Sequence, residues 1–508
     1  MNKPKKTQTS TWIKVRKFLN DIHLWGGLIS GIVVFIVCLT GTIYVYNTEI
    51  RAWALSEYYS VKPAGEKLNP DELIAKVKPE IKGKVVGIKI PNAADEATSV
   101  LYAKKEEGKG RERSGSAQPE GRGEKKSEHN HAVHNHSNHE GHNHDKGAQK
   151  EGKDAVQAAA SGSLEQIAKG EQKEPKGSKA AAGEGEKKEV AAGPKREGAP
   201  NAPAAGGGPG GRGPRSNQMS VNPYTGEVIG DAAEVKTKTA EFMQKMFGLH
   251  RWLLLNEVEK PIIEGVENRK LGSWISGTAT LLFLLGVITG MVIWFPNKIR
   301  SWKNGLNIRW SANWKRVNHD LHNTLGFYSC ILLFLMSVTG PFWSFDWYRA
   351  GWQKTWGTYQ AADAPKVEKK VLTSTILTAE AKTISIEETI AKVNEVLPYA
   401  GDITINFARD STGTISVSKN RVGFFAPSAG DKLTLDQYSG EVLEKDIFRE
   451  KPFNERASAS IKALHIGDIY GPFSKLLYFI ACLIATSLPV TGVMIWINKM
   501  KKKPKTAK

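Results

Sequence analysis

Cysteine is scarce in this chain: only Cys38, Cys330 and Cys482 occur among 508 residues, each inside a long apolar run. The polar segments therefore hold no disulfide, even in a compartment that would permit one. No C-x-x-C-H is present, which rules out covalent attachment of a c-type haem by the usual motif. A Gly-rich dinucleotide fingerprint on a soluble unit is also missing, so any electron donor must be a separate molecule. The net charge of +19 collects in short clusters beside apolar runs, without the basic–aromatic interleaving of a nucleic-acid face, which argues against a nucleic-acid partner. Histidine is rare outside one tract, leaving only His23, His250, His319, His322 and His465 elsewhere.

What is abundant is apolar sequence in four blocks. Leu24–Tyr46, Leu271–Phe295, Leu325–Trp343 and Leu476–Ile497 are each long enough to cross a hydrocarbon core of about 30 Å, and lipid cannot satisfy exposed backbone groups, so each reads as a membrane helix. The basic n-region before the first run suggests a signal peptide, but the run is too long and lacks an A-x-A site, so it reads as an anchor. Lys and Arg concentrate before the first span, in the short loop between the second and third, and after the fourth. The positive-inside rule then puts both termini on the cytoplasmic side of a bacterial inner membrane and both long segments outside.

The chain reads as a tandem repeat. Asn222-Pro-Tyr-Thr-Gly-Glu-Val-Ile229 returns as Asp436-Gln-Tyr-Ser-Gly-Glu-Val-Leu443, and the second and fourth spans end alike in Thr289-Gly290 and Thr491-Gly492. Each half is helix, exported segment, helix, so the halves enter the membrane in the same direction, as a parallel repeat. In each exported segment a helical period precedes strand-like alternation and a Tyr-x-Gly turn, giving a small α+β unit. The expected fold is a four-helix membrane bundle with two exported α+β domains. Its plan is a cytoplasmic segment 1–23, helix 24–46, a first domain 47–104 and 217–238, an insertion 105–216, an interfacial helix and connection 239–270, and helix 271–295. A cytoplasmic loop 296–324, helix 325–343, a second domain 344–470, helix 471–497 and a basic tail 498–508 complete it.

The insertion is rich in Gly, Ala, Lys, Glu and Pro and cannot bury enough surface to fold, so it reads as disordered. It contains His129, His131, His134, His136, His139, His142 and His144, a density that suits capture of a divalent transition metal. The irregular spacing argues against one fixed site, and an inert polar linker is the alternative.

The remaining histidines carry the sharper signal. His23 precedes Gly41 by 18 residues and His322 precedes Gly340 by 18, in two apolar stretches that both close on Thr-Gly. Ionisable residues at a bilayer boundary are functional candidates by default. The repeat makes His23 and His322 mates near one face, and His250 and His465 mates near the other. Two facing imidazoles in a four-helix bundle match axial ligation of an iron porphyrin, giving two bis-His haem b groups. For a single such histidine, an interfacial hydrogen bond is the plainer reading. Zinc is the inorganic rival, with Asp21, Asp320 and Asp468 either completing a tetrahedral site or orienting the imidazoles. His319, three residues before His322, is an alternative axial ligand or a propionate partner. His250 stands some 20 residues ahead of its span, and the period in TAEFMQKMFGLHRWLLL suggests an interfacial helix that returns it to the bundle.

The HxWxG entry to the first helix, the YTGEV and YSGEV turns, LHRWLLL, DLHNTLG and LHIGDIYG together resemble the PepSY-associated transmembrane helix family over nearly the whole chain except the insertion. That resemblance implies PepSY-like periplasmic domains, b-type haems on membrane histidines, and iron uptake as the context, with a ferric siderophore as the complex reduced; the separate electron donor is a quinol or a cytoplasmic reductase, between which the sequence does not choose. Two readings need no haem: a membrane-anchored metal-binding accessory to a transporter, and a PepSY-type regulator of peptidase activity.

Overall fold

A computed structural model describes residues 10–104, 217–295, 302–303, 305–361, 371–376 and 381–501. The insertion, with its seven clustered histidines, lies outside the described residues. The long helices are α1 (Ser10–Tyr44), then α5 (Asn268–Trp294), α6 (Trp314–Thr339) and α11 (Gly471–Met500), and all four are long and apolar enough to cross a membrane. They extend past the apolar runs, because helices continue through the polar residues that flank a hydrocarbon core. α1 packs most extensively on α5 and α11, and α6 on the same two, so the bundle closes as α1–α5–α6–α11 with α1 and α6 on one diagonal. Side chains such as Ile29, Ile32, Tyr328, Ile331, Leu476 and Ile480 remain exposed around it, as a lipid-facing surface requires.

Shorter elements fill the segments between. α2 (Asn47–Ala54) and α3 (Pro70–Val77) lead to β1 (Gly83–Ile90) and β2 (Thr98–Lys104). After the insertion come β3 (Asn217–Val221), β4 (Val228–Gly230) and α4 (Lys238–Trp252), which starts on a Thr237 side chain that accepts from the Ala240 amide. Beyond α6 lie α7 (Asp346–Thr355) and α8 (Ile386–Val396), opened by a Ser385–Glu388 capping box. Then β5 (Gly401–Asn406), β6 (Thr414–Arg421), β7 (Asp431–Asp436) and β8 (Val442–Asp446) precede α9 (Phe453–Ala459) and α10 (Ile461–Ile466).

The sequence leads one to expect a separate sheet for each exported segment. The strands instead form one antiparallel sheet in the order β4-β3-β2-β1-β5-β6-β7-β8. β1 and β5 join it, Gly87 facing Asn406 and Ile90 facing Ile403. A Cβ at Gly87 would collide with the Ile405 carbonyl, so the seam depends on a glycine there. α3 and α8 share one core with the sheet: Leu73 and Val77 from α3, Ile386 and Val393 from α8, and Ile88, Val100, Ile405, Val417 and Leu435 from the strands. Alternating strand burial thus serves a common helical layer. The two Tyr-x-Gly turns are built alike. Asn222 Oδ1 accepts from the Tyr224 amide and Asp436 Oδ1 from the Tyr438 amide, and Gly226 and Gly440 take φ of 78° and 70°, where a side chain would be strained.

Candidate functional site

Four histidines meet in two pairs. His23 on α1 faces His322 on α6 across the bundle diagonal, with ring centroids 6.1 Å apart and planes at 85°. His250 on α4 faces His465 on α10 at 6.2 Å and 57°. The first pair lies toward the end where α1 begins and α11 ends, the second toward the sheet. α4 packs against α1 and α5, which brings His250 to the bundle despite its distance from the second span. The chain then turns sharply through Leu253 and Leu254, both left-handed at φ 54° and 59°, a conformation that costs a non-glycine residue about 1–3 kcal/mol. Ser276 Oγ donates to the Arg251 carbonyl at 2.9 Å and Gly272 lets α5 approach the Trp252 backbone, so α5 clamps the turn.

Each imidazole rests in the same cradle, made by a Thr-Gly pair on the neighbouring spanning helix. His23 Nδ1 bonds the Gly286 carbonyl at 3.0 Å and Thr289 Oγ1 at 3.2 Å. His250 Nδ1 bonds the Val37 carbonyl at 2.9 Å and Thr40 Oγ1 at 3.4 Å. His465 Nδ1 bonds the Met336 carbonyl at 3.2 Å and Thr339 Oγ1 at 3.0 Å, and His322 Nδ1 bonds Thr491 Oγ1 at 2.9 Å. The glycine that follows each threonine lies under the ring: a Cβ would stand 3.1 Å from His23 Cε1 at Gly290, 3.2 Å from His250 Cε1 at Gly41, and 3.4 Å from the corresponding atoms of His465 and His322 at Gly340 and Gly492.

These bonds fix the tautomer. A carbonyl can only accept. Each threonine hydroxyl already donates to its own helix, at 2.7 Å to Ile36, Leu285 and Leu335 and at 3.0 Å to Ser487, so it too can only accept from the histidine. Nδ1 must carry the proton in all four rings, and every Nε2 keeps its lone pair. A neutral imidazole with Nδ1–H held by an oxygen is the form that ligates metal through Nε2.

The aspartates take no part in this. Asp21 is exposed, Asp320 accepts from Arg316 Nε and the Arg309 amide, and Asp468 is held up in pKa by burial with one oxygen lacking a partner. The role expected of them falls to the Thr-Gly pairs, which the sequence displays in all four spans but which acquire meaning only when neighbouring helices are set side by side. Asn318, one turn before His322 and fully buried, was also not singled out. Its Nδ2 donates to the Thr491 carbonyl at 3.1 Å and steadies the same cradle. His319 does not join a pair: its exposed ring lies beside Asn323 and 3.8 Å from Asp320. Trp343 covers His465, centroids 5.2 Å apart.

Between the pairs, Leu333, Ala481 and Ala485 are buried with Phe283, Val287, Met336, Leu488 and Cys38 packed on them, a layer without charge. No curated protein matches the chain. The PepSY-associated TM region family matches it across residues 21–499, a stretch that includes both histidine pairs and all four cradles, and the chain belongs to that family of membrane proteins.

Proposed function

We propose that the protein is a haem b-containing reductase that moves electrons across a bacterial cytoplasmic membrane to a ferric complex, a ferric siderophore by its chemistry, on the outer side. The observation that carries this reading is the facing imidazole pair, present twice, with every Nδ1 locked. Two metal–nitrogen bonds of about 2 Å and two ring radii of about 1.1 Å would add to about 6.2 Å between centroids, and the pairs stand at 6.1 and 6.2 Å. Zinc would need roughly two more protein ligands at each pair. Among the described residues no group of three His, Cys, Asp or Glu comes together, whereas a porphyrin brings its own four nitrogens.

His23 and His322 would hold one haem, and His250 and His465 the other. Bound between two histidines, haem supplies one-electron transfer with no open iron position, which favours reduction over oxygen chemistry. The chain's own part is positional. The threonines and carbonyls keep the imidazoles neutral and oriented, the glycines let the rings sit against the helices, and the apolar layer around Leu333 and Ala481 excludes water between the pairs. Delivery of an electron to the ferric complex weakens its hold on hard oxygen donors and frees Fe²⁺. The donor, a quinol or a cytoplasmic reductase, is a separate partner.

The Lys and Arg clusters support an orientation with both termini cytoplasmic and the sheet outside. The palindromic strand order, the matched Asx turns and the four cradles support a parallel tandem repeat with two PepSY-like domains merged edge to edge. The histidine density of the insertion suits capture of a divalent transition metal, a role compatible with this reading. A reduced-minus-oxidised spectrum of protein purified from haem-replete cells tests the reading. Bands of b type with about two haems per chain are expected; their absence overturns it.

A further inference from the structure

The loop between β6 and β7 does not end in solvent. Phe424 and Phe425 are 53% and 63% exposed, yet they cluster with Phe473 near the start of α11: Phe425–Phe473 centroids are 4.9 Å apart, Phe424–Phe473 6.0 Å, and the Phe473 amide donates to the Phe424 carbonyl at 3.1 Å. From Phe473 an exposed apolar stripe continues down α11 through Leu476, Leu477, Ile480 and Leu483, at the spacing of one helical face. That stripe is lipid-facing, so the two loop phenylalanines extend the lipid surface upward, off the helix and onto the edge of the sheet domain.

Behind them is an open cavity of about 350 Å³ lined by Tyr399, Ala400, Arg421, Val422, Gly423, Phe425 and Ala426. At about 30 Å³ per water it has room for roughly a dozen waters, and hence for a small headgroup. Its cation is preorganised. The Arg421 guanidinium lies 3.5 Å from the Tyr399 ring centroid, and the phenol is fixed by donating to Asp431 Oδ2 at 2.7 Å. Asp431 is 3.9 Å from Arg421, too long for a strong pair, and is shared with the Phe448 amide. Lys419 lies 4.9 Å from the same ring centroid but is buried, its Nζ donating to Asn394 Oδ1 and the Leu397 carbonyl, so Arg421 is the cation the cavity presents.

We infer that this cavity binds the headgroup of an anionic phospholipid, with Arg421 on the phosphate and Phe424 and Phe425 seated at the acyl boundary beside Phe473. A soluble anion would explain the arginine but not two exposed phenylalanines continuous with a lipid face. A purely apolar contact would explain the phenylalanines but not an arginine stacked on Tyr399 in the pocket beside them. The site also has a structural consequence: Gly471 abuts the Ala426 carbonyl, so a lipid held here would brace the turn that runs from His465 into α11.

Native mass spectrometry of the full-length protein, exchanged in detergent against equal amounts of phosphatidylglycerol and phosphatidylcholine, tests this. Wild type is expected to retain phosphatidylglycerol about fivefold in preference, the ratio that goes with one basic residue at a membrane surface. Arg421→Gln should bring the preference near unity, Arg421→Lys should keep part of it, and a Phe424→Ser/Phe425→Ser double variant should lower retention of both lipids at this site. Unchanged melting of Arg421→Gln shows that the loss is not a folding defect. An equal preference in wild type and Arg421→Gln, or displacement of the lipid by millimolar inorganic phosphate, overturns the assignment.

Discussion

The two histidine pairs use the same cradle on different carriers. In the pair near the termini the histidines project from spanning helices, α1 and α6, and the cradles belong to α5 and α11. In the pair near the sheet the spanning helices α1 and α6 supply the cradles, and the histidines ride on short helices, α4 and α10, that fold back into the bundle. One diagonal therefore gives histidines at one end and sockets at the other. The terminal-side pair is fixed by the packing of spanning helices, with the Asn318 side chain bonding across to the Thr491 carbonyl. The sheet-side pair also depends on what holds α4 and α10 in place: the strained Leu253–Leu254 turn, the clamp from α5, and Trp343 over His465.

Removing a ligand should separate the pairs most strongly. His23→Ala is expected to lower the haem content from about two per chain to about one, and His465→Ala to do the same for the other site. Haem quantification on each variant, with spectra at low temperature, checks this. If either variant loses both haems, or neither, the pairs are not independent sites and the comparison fails.

Much of this arrangement is legible in the sequence, and what is not has a physical reason. The four spans follow from run length, and the strands from alternation: DITINFAR and GTISVSKN become β5 and β6, and each Tyr-x-Gly turn sits where two short strands meet. The partner of each histidine follows from the recurrence of His and Thr-Gly along the sequence. The joining of the strands into one sheet does not, because β1 and β5 carry the same alternation whether their edges are free or paired. The 18-residue interval from His23 to Gly41 is informative in an unexpected way. At 1.5 Å per residue it spans about 27 Å of helix. It links a ligand of one pair to a socket of the other, and so records the separation of the two sites. A one-dimensional pattern cannot show which helix faces that socket.

The sockets give a graded test. Gly290→Ala and Gly41→Ala place a Cβ 3.1 and 3.2 Å from an imidazole carbon, while Gly492→Ala leaves 3.4 Å and Gly340→Ala leaves 3.4 Å to its imidazole but only 3.1 Å to Thr280 Cγ2. Overpacking of this kind costs about 1–3 kcal/mol. The first two should weaken haem retention at their own sites by about tenfold or more in a haem-transfer assay with apomyoglobin, and Gly492→Ala by less. Gly31→Ala, whose Cβ meets Pro489 at an ordinary 3.8 Å, should change nothing. Gly41→Ala should also spare the terminal-side haem; loss there would mean that the short helices and the spanning helices do not move separately.

The smallest effect concerns the hydroxyls and bears on how alike the cradles are. Thr491 Oγ1 is the close partner of His322 at 2.9 Å, whereas Thr40 Oγ1 stands 3.4 Å from His250, which has the Val37 carbonyl at 2.9 Å as its main acceptor. An acceptor on Nδ1–H makes the imidazole a stronger donor to metal and favours the ferric state, so its removal should raise the midpoint potential. Loss of a hydrogen bond worth about 0.5–1 kcal/mol corresponds to a shift on the order of 20–45 mV for a one-electron couple. Thr491→Val should therefore raise the potential of the terminal-side haem by that amount, Thr491→Ser should restore it, and Thr40→Val should leave the sheet-side haem nearly unmoved. Redox titration of the three variants reads both potentials at once. Equal shifts in Thr491→Val and Thr40→Val would show that the two hydroxyls weigh alike despite their different distances, and would remove the distinction between the cradles.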